Sequence, residues 1–333
     1  MMTESSTSMP KGLVPREGVY DLYWQYVCER QSVFEKRYAG SPEPWTDDKI
    51  LQKHKFTNVF RASDRVSQYM IKQVCYGGAV GADLAFQIVA FRTFSKIETW
   101  ENLKRILGHY PVLTDLADGS FQQALATMST AKAKLYTGAF ILCATKAYGY
   151  DEKYMNHIGM LKDMFLDHDL HALIKNAKSL AGVYDILHKF SLMGDFMSYQ
   201  TAIDLNYSEL IDFSENDFVK AGPGALRGLK KCFVSTGDLS PEQVILWLVE
   251  NQQEEFRRLN LKFNGLFGRP MSAIDVQNCF CEIDKYCREA VPELASNRKK
   301  IKALFQQNHT PVQYFFPPKW HINHRINTRQ QMR

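Results

Sequence analysis

The stretch LMGDFMSYQTAIDL, residues 192–205, decides the fold class of this 333-residue chain. It follows a short apolar helical pattern at Tyr184–Ser191, turns at Gly194 and starts a second helical pattern near Phe196. Two short helices joined by a tight turn form a helix-hairpin-helix, whose turn amides and second helix N-terminus suit a DNA phosphate. An ordinary helical hairpin without a ligand is the alternative interpretation.

Most of the remaining chain has the same helical character. Apolar residues recur at three- and four-residue steps, most clearly in Asp21–Tyr38, Val244–Leu259 and Val276–Ala290. Strand signals are scarce, and the single Asn264-Gly265 pair predicts a small hairpin between 261–263 and 266–267. We therefore predict a mainly α fold.

Four Ser or Thr residues are predicted to start helices, because the side-chain oxygen of such a residue accepts a hydrogen bond from a free backbone N–H of the first turn. Thr46 precedes an acidic first turn, and Ser63 precedes a pattern that runs through Val74. Ser120 and Ser240 are each followed three residues later by Gln, which predicts a capping box at both positions.

Composition excludes several classes of protein. Hydrophobic residues make up 45% and charged residues 23% of the chain, which is typical of a folded protein and excludes disorder. The 41 Lys and Arg against 36 Asp and Glu give a net charge of +5, which is compatible with a polyanionic partner. The apolar runs are too short for a bilayer span, and the N-terminus lacks the apolar region of a secretory signal. We expect a soluble, cytoplasmic protein that does not bind membranes.

Neither the spacing of the cysteines nor the common sequence motifs indicate a metal or a cofactor. Seven cysteines are an odd number without paired spacing, which indicates reduced thiols. Cys279, Cys281 and Cys287 lack the spacing of a zinc site. The P-loop, zinc-protease, nucleophile-elbow and dinucleotide-binding motifs are all absent from the sequence.

The first candidate site segment is KFTNVFRASDRVSQY, residues 55–69. On a helix beginning near Ser63, Asp64 and Gln68 share a face, and Arg61 and Arg65 flank them. Two guanidinium groups held by one carboxylate form a fork that suits phosphate. The alternative is a solvent-facing Asp–Arg pair with little energetic weight.

Two further segments carry candidate site residues. In 214–231, Gly222-Pro-Gly224 precedes a helical pattern, so backbone amides and Arg227 suit an anion, although such a sequence is often only a turn. In 274–286, Asp275, Asn278, Glu282 and Lys285 line one helical face. Two interpretations are open. Either this polar face lines a cleft, or Glu282 and Lys285 form a salt bridge at the surface.

Taken in order, several segments resemble the helical DNA-hypermodification proteins of bacterial viruses. These are the α-glutamyl/putrescinyl-thymine pyrophosphorylases, also called amino acid:DNA transferases, and the related helical domain of hydroxymethyluracil DNA kinases. The matching segments are PWTDD (44–48), KFTNVFRASDRVSQY (55–69), YQTAIDLNY (199–207), NDFVKAGPGALRGL (216–229), QNCFCEIDKY (277–286) and FPPKW (316–320). Several motifs in fixed order are more specific than any one of them.

The resemblance implies a helix-hairpin-helix fold like that of DNA glycosylases, with two lobes around a cleft. It spans roughly residues 23–320. We accordingly predict a disordered leader at 1–17, a single helical glycosylase-like domain at 18–320 and a basic tail at 321–333. DNA-glycosylase hairpins usually have a second glycine two residues after the first, and Phe196 stands at that place here.

The resemblance also implies a reaction on double-stranded DNA that carries phosphorylated hydroxymethyluracil. In the transferase branch, an amino acid such as glycine, or a polyamine, replaces that phosphate. This step of thymidine hypermodification protects the viral genome from restriction, and it takes place in the host cytoplasm. The kinase branch carries a P-loop, which this sequence lacks, so we expect a transferase. The alternatives are a non-catalytic DNA-binding partner of a hydroxymethyluracil DNA kinase and a modified-base N-glycosylase.

The same resemblance, together with the charge pattern, suggests roles for individual residues. Asp217 lies 23 residues after Gly194, near the place of the catalytic aspartate in hairpin glycosylases, and is the first choice for the base. Asp204 and Glu282 are the alternatives. The residues expected to bind phosphate or DNA are Arg61, Asp64, Arg65, Gln68, Gln200, Gly222, Gly224, Arg227 and Lys285.

Overall fold

A computed structural model describes residues 9–138, 145–294, 298–307 and 311–326 of the chain. The α-helices in chain order are α1 (Val19–Tyr38), α2 (Lys49–Lys53), α3 (Arg65–Tyr69), α4 (Gly81–Phe94), α5 (Ile97–Leu107), α6 (Leu113–Asp118), α7 (Ser120–Thr130), α8 (Lys153–Lys162), α9 (Leu170–Asn176), α10 (Leu180–His188), α11 (Asp195–Tyr207), α12 (Pro223–Cys232), α13 (Pro241–Arg258) and α14 (Ala273–Ala290). Two π-helical segments, Met70–Cys75 and Asp163–Asp167, follow α3 and α8. Short 3₁₀ turns are formed by Arg61–Ser63, Pro292–Leu294, Pro318–Trp320 and Asn323–Arg325. The predicted mainly α fold is confirmed.

The helix starts show where local sequence signals suffice. The Ser240 hydroxyl accepts the Gln243 N–H at 3.1 Å, and the Gln243 side chain accepts the Ser240 N–H at 2.8 Å, so this capping box is confirmed. The predicted box at Ser120 is wrong, because Gly119 is the N-cap and Ser120 is already helical. The predicted start at Thr46 is also displaced, because the Asp48 carboxylate caps α2.

Two strands and one turn differ from the sequence predictions. Strand β1 (Leu13–Pro15) pairs antiparallel with β2 (Phe233–Thr236), so the disorder predicted for 1–17 is wrong for Leu13–Pro15. A partner more than two hundred residues away in the chain supplies hydrogen bonds that no local pattern reveals. The hairpin predicted around Asn264-Gly265 is wrong, because the described chain forms only an isolated bridge between Leu266 and Arg269 there.

The chain forms two compact units. The first contains the residues up to Asp64, Val219–Tyr314 and the residues from Pro318 onwards. The second contains Arg65–Phe218 and Phe315–Pro317. A single glycosylase-like domain at 18–320 and two lobes around a cleft therefore stay predictions. Of the predicted basic tail, residues 321–326 are described and 327–333 lie outside the described residues.

The core of the first unit is built around the packing of α12 on α14. Gly228 lies so close to α14 that an added Cβ would be 2.0 Å from the Phe280 carbonyl oxygen. An added Cβ at Gly224 would be 2.8 Å from the Cys281 sulfur. The Phe280 ring in turn stacks on Tyr23 of α1, with centroids 4.5 Å apart. Glycine is therefore required in α12 because the two helix backbones approach closely.

Gly228→Ala is expected to lower the free energy of unfolding by about 2–3 kcal/mol, because the new methyl group overlaps a backbone atom that has no free space to move into. Gly182→Ala is the matched control, since its Cβ would lie 3.5 Å from the nearest atom. In α10 that change is expected to stabilise by ~0.5–1 kcal/mol through helix propensity. Urea unfolding of the three proteins measures both effects, and equal effects of the two substitutions would contradict the packing account.

The core of the second unit is formed by α4 and α11, which are buried on nearly all sides. Every residue from Leu84 to Phe94 is buried. A helix that is buried all round occupies the centre of its unit. Asp204 of α11 and Arg92 of α4 form a buried ion pair with exposures of 0% and 1%. This pair joins the two central helices.

None of the helices in the described part of the chain has the length and apolar character that a bilayer crossing requires. Within the same residues, no group of three or more His, Cys, Asp or Glu side chains is placed to hold a metal ion. The six described cysteines are free, and Cys143 lies outside the described residues.

Candidate active site

The candidate site of the first unit is built on the segment Phe56–Asp64, which Arg30 of α1 holds in place. The Arg30 side chain is buried, and its Nε donates to the Thr57 carbonyl oxygen at 3.0 Å. Its Nη2 donates to Asn58 Oδ1 at 2.7 Å. The Asn58 side chain in turn donates to the Ser63 carbonyl oxygen at 3.0 Å. A guanidinium group that binds several acceptors at once fixes an irregular segment that has no backbone ladder of its own.

Helix α14 anchors the same segment at two points. The Arg61 N–H donates to Asp275 Oδ1 at 2.8 Å, and the Thr57 N–H donates to Glu282 Oε2 at 3.2 Å. Asp275 and Glu282 are seven residues apart, which places them on one face of the helix two turns from each other. The polar face predicted for α14 therefore contacts this segment. Asp275 is buried and also binds Ser272 at the start of α14, which indicates a structural role.

Asp64 carries the carboxyl group of the segment Phe56–Asp64, and its pKa is shifted toward neutral pH. Its carboxylate accepts the Asn58 N–H at 3.1 Å. Burial raises the pKa of Asp64 to about 6, and the negative charge of Glu282 adds to this rise. The hydrogen bond from Asn58 and the charges of Arg30 and Arg61 act in the opposite direction and do not cancel it. A carboxyl group that titrates near neutral pH is suited to proton transfer.

Lys285 and Glu282 bring an ion pair to the site. Lys285 Nζ lies 2.7 Å from Glu282 Oε2, and the two side chains are only 19% and 14% exposed. The same ammonium lies 4.3 Å from the centre of the Phe56 ring, where a cation–π contact orients it. The predicted Glu282–Lys285 salt bridge is confirmed, but it is largely buried and is not a solvated surface pair.

The structure places Asp64 before α3 and not within it. Its backbone is extended (ψ 146°), and α3 begins at Arg65. The predicted helical pairing of Asp64 with Gln68 at i, i+4 is therefore wrong. The side chain of Gln68 accepts the Phe315 N–H at 2.7 Å within the second unit. Arg65 is exposed on α3.

The raised pKa of Asp64 predicts a specific pH dependence of stability. Because the folded state binds this proton more tightly than the unfolded chain, stability falls as pH rises from about 4 to about 6. At ~1.4 kcal/mol per pKa unit the loss is at most about 3 kcal/mol. Asp64→Asn is expected to remove this part of the pH dependence, so that the variant gains stability relative to the natural protein above pH 6. Urea unfolding at pH 4 to 8 measures it, and parallel curves for the two proteins would contradict it.

Arg227 belongs to a different cluster, in which three cations surround the fully buried Asp284. Arg227 Nε lies 3.0 Å from Asp284 Oδ2, Lys231 Nζ 3.1 Å from Oδ1 and Arg288 Nη2 2.8 Å from Oδ2. Burial acts to raise the pKa of Asp284, but the hydrogen bonds from Arg288 and Lys231 outweigh it and hold the pKa below its usual value. The cluster has a net charge of about +2. The Arg227 side chain is the most exposed of the three cations, at 25%.

The first turn of α12 packs against the side chain of Cys281 in α14. Gly222 is the N-cap and Pro223 the first helical residue, as the sequence indicated. However, the Ala225 N–H is directed at the sulfur of Cys281, and Gly224 lies against the same side chain. This geometry favours a packing role for Gly224. A phosphate site at Gly222 stays a prediction.

The predicted residues of the second unit lie in different environments. Asp204 is fully buried with Arg92, which favours a structural role over that of a base. Gln200 is also buried, with 1% exposure. Asp217 is exposed in a turn, where its N–H donates to the Ser214 carbonyl oxygen at 3.4 Å. The structure gives Asp217 an accessible carboxylate, and its catalytic role stays a prediction.

The predicted helical hairpin is present as α10 and α11, with Gly194 as the N-cap of α11. Asp195 occupies the first turn of α11, where it accepts the Tyr184 hydroxyl at 2.8 Å and lies 3.4 Å from His188 Nε2. A carboxylate in the first turn of a helix is stabilised by the same helix dipole that would attract a phosphate. The two helices are present, and both the helix-hairpin-helix assignment and its role in binding DNA stay predictions.

Of the residues that the sequence analysis assigned to the site, the structure brings Arg61, Asp64, Glu282 and Lys285 together in the first unit. The sequence patterns did not reveal Arg30, Asn58 and Asp284. Asn58 lies within the quoted segment 55–69, which was the available signal. In the sequence, Arg30 and Asp284 resemble the solvent-facing polar residues of any amphipathic helix. The local pattern does not show which distant residue each side chain contacts.

Comparison with known proteins identifies the family. The model of the 5-hmdU DNA kinase helical domain matches residues 17–296. The 5-hmdU DNA kinase of Bacillus phage SP10 is 23% identical over 290 residues, which cover 80% of this chain and 45% of the phage protein. The chain therefore spans under half the length of this curated relative. No solved structure matches it. The resemblance derived from the sequence motifs is confirmed, and the chain belongs to the family of the 5-hmdU DNA kinase helical domain.

Proposed function

We propose that the chain is a transferase that attaches an amino acid or a polyamine to phosphorylated hydroxymethyluracil in double-stranded DNA. The reaction is a step of thymidine hypermodification that protects a viral genome from restriction. The observation that carries the proposal is the carboxyl group of Asp64, which lies where the charges of Glu282, Arg30 and Arg61 act on it and whose pKa burial raises to about 6. General acid–base catalysis is most efficient with a group whose pKa lies near the working pH.

The reaction requires a base and an acceptor of negative charge. The nitrogen of the amine attacks the methylene carbon on C5 of the uracil. A carbon–nitrogen bond forms, and the carbon–oxygen bond to the phosphate breaks, with its electron pair leaving on the phosphate oxygen. The amine must lose a proton, and we assign that proton to Asp64, which is mostly ionised above pH 6. This assignment replaces phosphate binding, since a carboxylate repels a phosphate.

The departing phosphate gathers negative charge that nearby cations stabilise. Lys285 is one candidate, because it pairs with Glu282 and its contact with Phe56 orients the ammonium. Arg61 contributes its charge to the same surroundings. The net positive cluster around Asp284, with Arg227 as its most exposed member, is suited to a phosphate of the DNA backbone. In the second unit, the exposed Arg65 remains a candidate for a contact with DNA, whereas Gln68 and Gln200 are buried. Asp217 remains the base predicted from the sequence.

A second candidate function is a non-catalytic DNA-binding module that accompanies a hydroxymethyluracil DNA kinase. The comparison is compatible with it, because the relative that this chain matches is named as a kinase and is more than twice as long as the matched region. A modified-base N-glycosylase is the third possibility named by the sequence analysis.

Incubation of the protein with phosphomethyl-deoxyuridine DNA and a mixture of amino acids and polyamines separates these functions. A nucleoside joined to an amine, detected by mass spectrometry after digestion, supports the transferase. An abasic site supports the glycosylase, and unchanged DNA that remains bound supports the binding module. Unmodified thymidine DNA is the control substrate.

Binding to DNA is expected to weaken steeply between 50 and 200 mM salt, because each phosphate contact releases counterions. Fluorescence anisotropy with a labelled duplex measures the dependence. A flat salt response would argue against DNA as the partner in all three functions.

A further inference from the structure

The first unit contains a cavity of about 270 Å³ that none of the proposed catalytic residues lines. Its walls come from α1, residues 43–56 and Phe305. Trp45, Phe56 and Phe305 supply flat apolar surface, and Val33 and Leu51 add aliphatic side chains. Sites for drug-sized ligands usually measure ~300–1,000 Å³. A cavity of this size therefore suits a small metabolite.

Arg30 presents an unsatisfied donor in the wall of this cavity. The side chain is 7% exposed, and its Nε and Nη2 bind acceptors of the segment 56–58. Its Nη1 is buried and has no hydrogen-bond partner among the residues that the structure describes. A buried guanidinium nitrogen without an acceptor is costly, and an anionic oxygen satisfies it best.

His54 presents a second unsatisfied polar atom in the same wall. The ring is 3% exposed, and its Nε2 lies 2.8 Å from Glu289 Oε1. Both ring nitrogens are buried, and neither has a hydrogen-bond partner within the described ranges of the chain. His54 therefore offers a ring nitrogen to a polar group of a ligand.

The rim of the cavity carries one charge of each sign. The Arg37 guanidinium lies 5.0 Å from the centre of the Trp45 ring, and the carboxylate of Glu43 acts electrostatically on Arg37. Arg30 and Arg37 together outweigh Glu43, so the lining favours an anionic group while offering one place for a cation. A zwitterion satisfies this combination, whereas a simple amine or a simple carboxylate satisfies half of it.

We propose that this cavity binds a free amino acid, with its carboxylate toward Arg30 and its ammonium toward His54 Nδ1 and Glu43. The volume accommodates the smaller amino acids and leaves the aromatic walls for an apolar side chain. The proposal rests on the proposed function to the extent that a free amino acid is also the co-substrate of the transferase. It gives that co-substrate a location beside the segment that carries Asp64, since Phe56 and Arg30 belong to both.

Isothermal titration calorimetry of the full chain without DNA tests the cavity. The probes are glycine and L-glutamate, with glycinamide lacking the carboxylate and acetate lacking the ammonium. We expect saturable binding of at least one amino acid and at least tenfold weaker binding of glycinamide and acetate. Glu43→Gln and Arg37→Gln, both at exposed rim positions, are expected to weaken amino acid binding at least tenfold. Arg105→Gln, an exposed arginine of α5, is the control and is expected to leave binding unchanged.

The outcomes separate this proposal from the proposed function. Amino acid binding that Glu43→Gln abolishes supports the cavity even if no transfer to DNA is found. No binding of either amino acid, equal binding of glycinamide, or binding of 5-hydroxymethyl-deoxyuridine in place of an amino acid overturns it. Transfer to DNA that the Glu43→Gln and Arg37→Gln variants perform with unchanged KM for the amino acid overturns it as well, and leaves the transferase standing.

Discussion

Asp64→Asn is expected to reduce the rate of amine transfer to phosphomethyl-deoxyuridine DNA by ~10²–10⁴-fold, the usual contribution of a positioned general base. The amide keeps an oxygen that accepts the Asn58 N–H, so the segment is expected to stay in place. What is lost is the capacity to take a proton from the amine. Single-turnover rates with saturating amine measure the loss, and DNA affinity is expected to change less than twofold.

The pH profile and a matched control make this prediction specific. Because the base acts in its ionised form, the rate of the natural protein is expected to rise through pH 6 and then level off. Asp238→Asn, at an exposed aspartate of the same unit, is expected to leave both rate and profile unchanged. An Asp64→Asn variant that keeps more than half of the rate would remove Asp64 from the mechanism. Loss of turnover in Asp217→Asn alone would restore the base predicted from the sequence.

Arg92→Met is expected to lower the free energy of unfolding by ~3–5 kcal/mol, because it leaves the Asp204 carboxylate buried without its counter-charge. Both side chains of this pair are almost completely buried. Water cannot reach Asp204 to replace the lost interaction. Urea unfolding of the purified proteins, with circular dichroism as the signal, measures the change.

Two further variants test whether the lost stability comes from the uncompensated buried charge of Asp204. The double variant Arg92→Met with Asp204→Leu removes both charges and is expected to recover most of the lost stability. Lys146→Met breaks a pair with Asp151 in which both side chains are at least 70% exposed. That change is expected to cost less than about 1 kcal/mol, because solvent screens exposed pairs. A double variant that is no more stable than Arg92→Met would contradict the account of an uncompensated buried charge.

The elements that sequence patterns predicted best are those with local causes. The long helices α1, α13 and α14 follow from apolar periodicity, and the start of α13 follows from the Ser240–Gln243 box. The predictions failed where a distant partner decides the conformation. β1 exists because β2 supplies its hydrogen bonds, and Asp64 leaves the helical path where its carboxylate binds the Asn58 backbone.

The contacts of the candidate site also fall into two groups, those with local causes and those that depend on a distant partner. Glu282 and Lys285 are three residues apart on a helix, so their contact follows from helical geometry alone. The contact of Glu282 with Thr57 joins residues that are 225 positions apart, and no local rule predicts it. The raised pKa of Asp64 likewise requires burial and the charges of residues from other segments.

The sequence by itself determined the helical class, the family and the order of the motifs, because periodicity, capping and motif spacing are local properties of the chain. Only the tertiary structure decided the surroundings of each candidate carboxyl group. It assigned Asp204 to a buried pair, Asp217 to an exposed turn and Asp64 to the neighbourhood of Glu282. The physical reason is that desolvation and charge–charge energies depend on distances in space, which residues far apart in the chain acquire only when it folds.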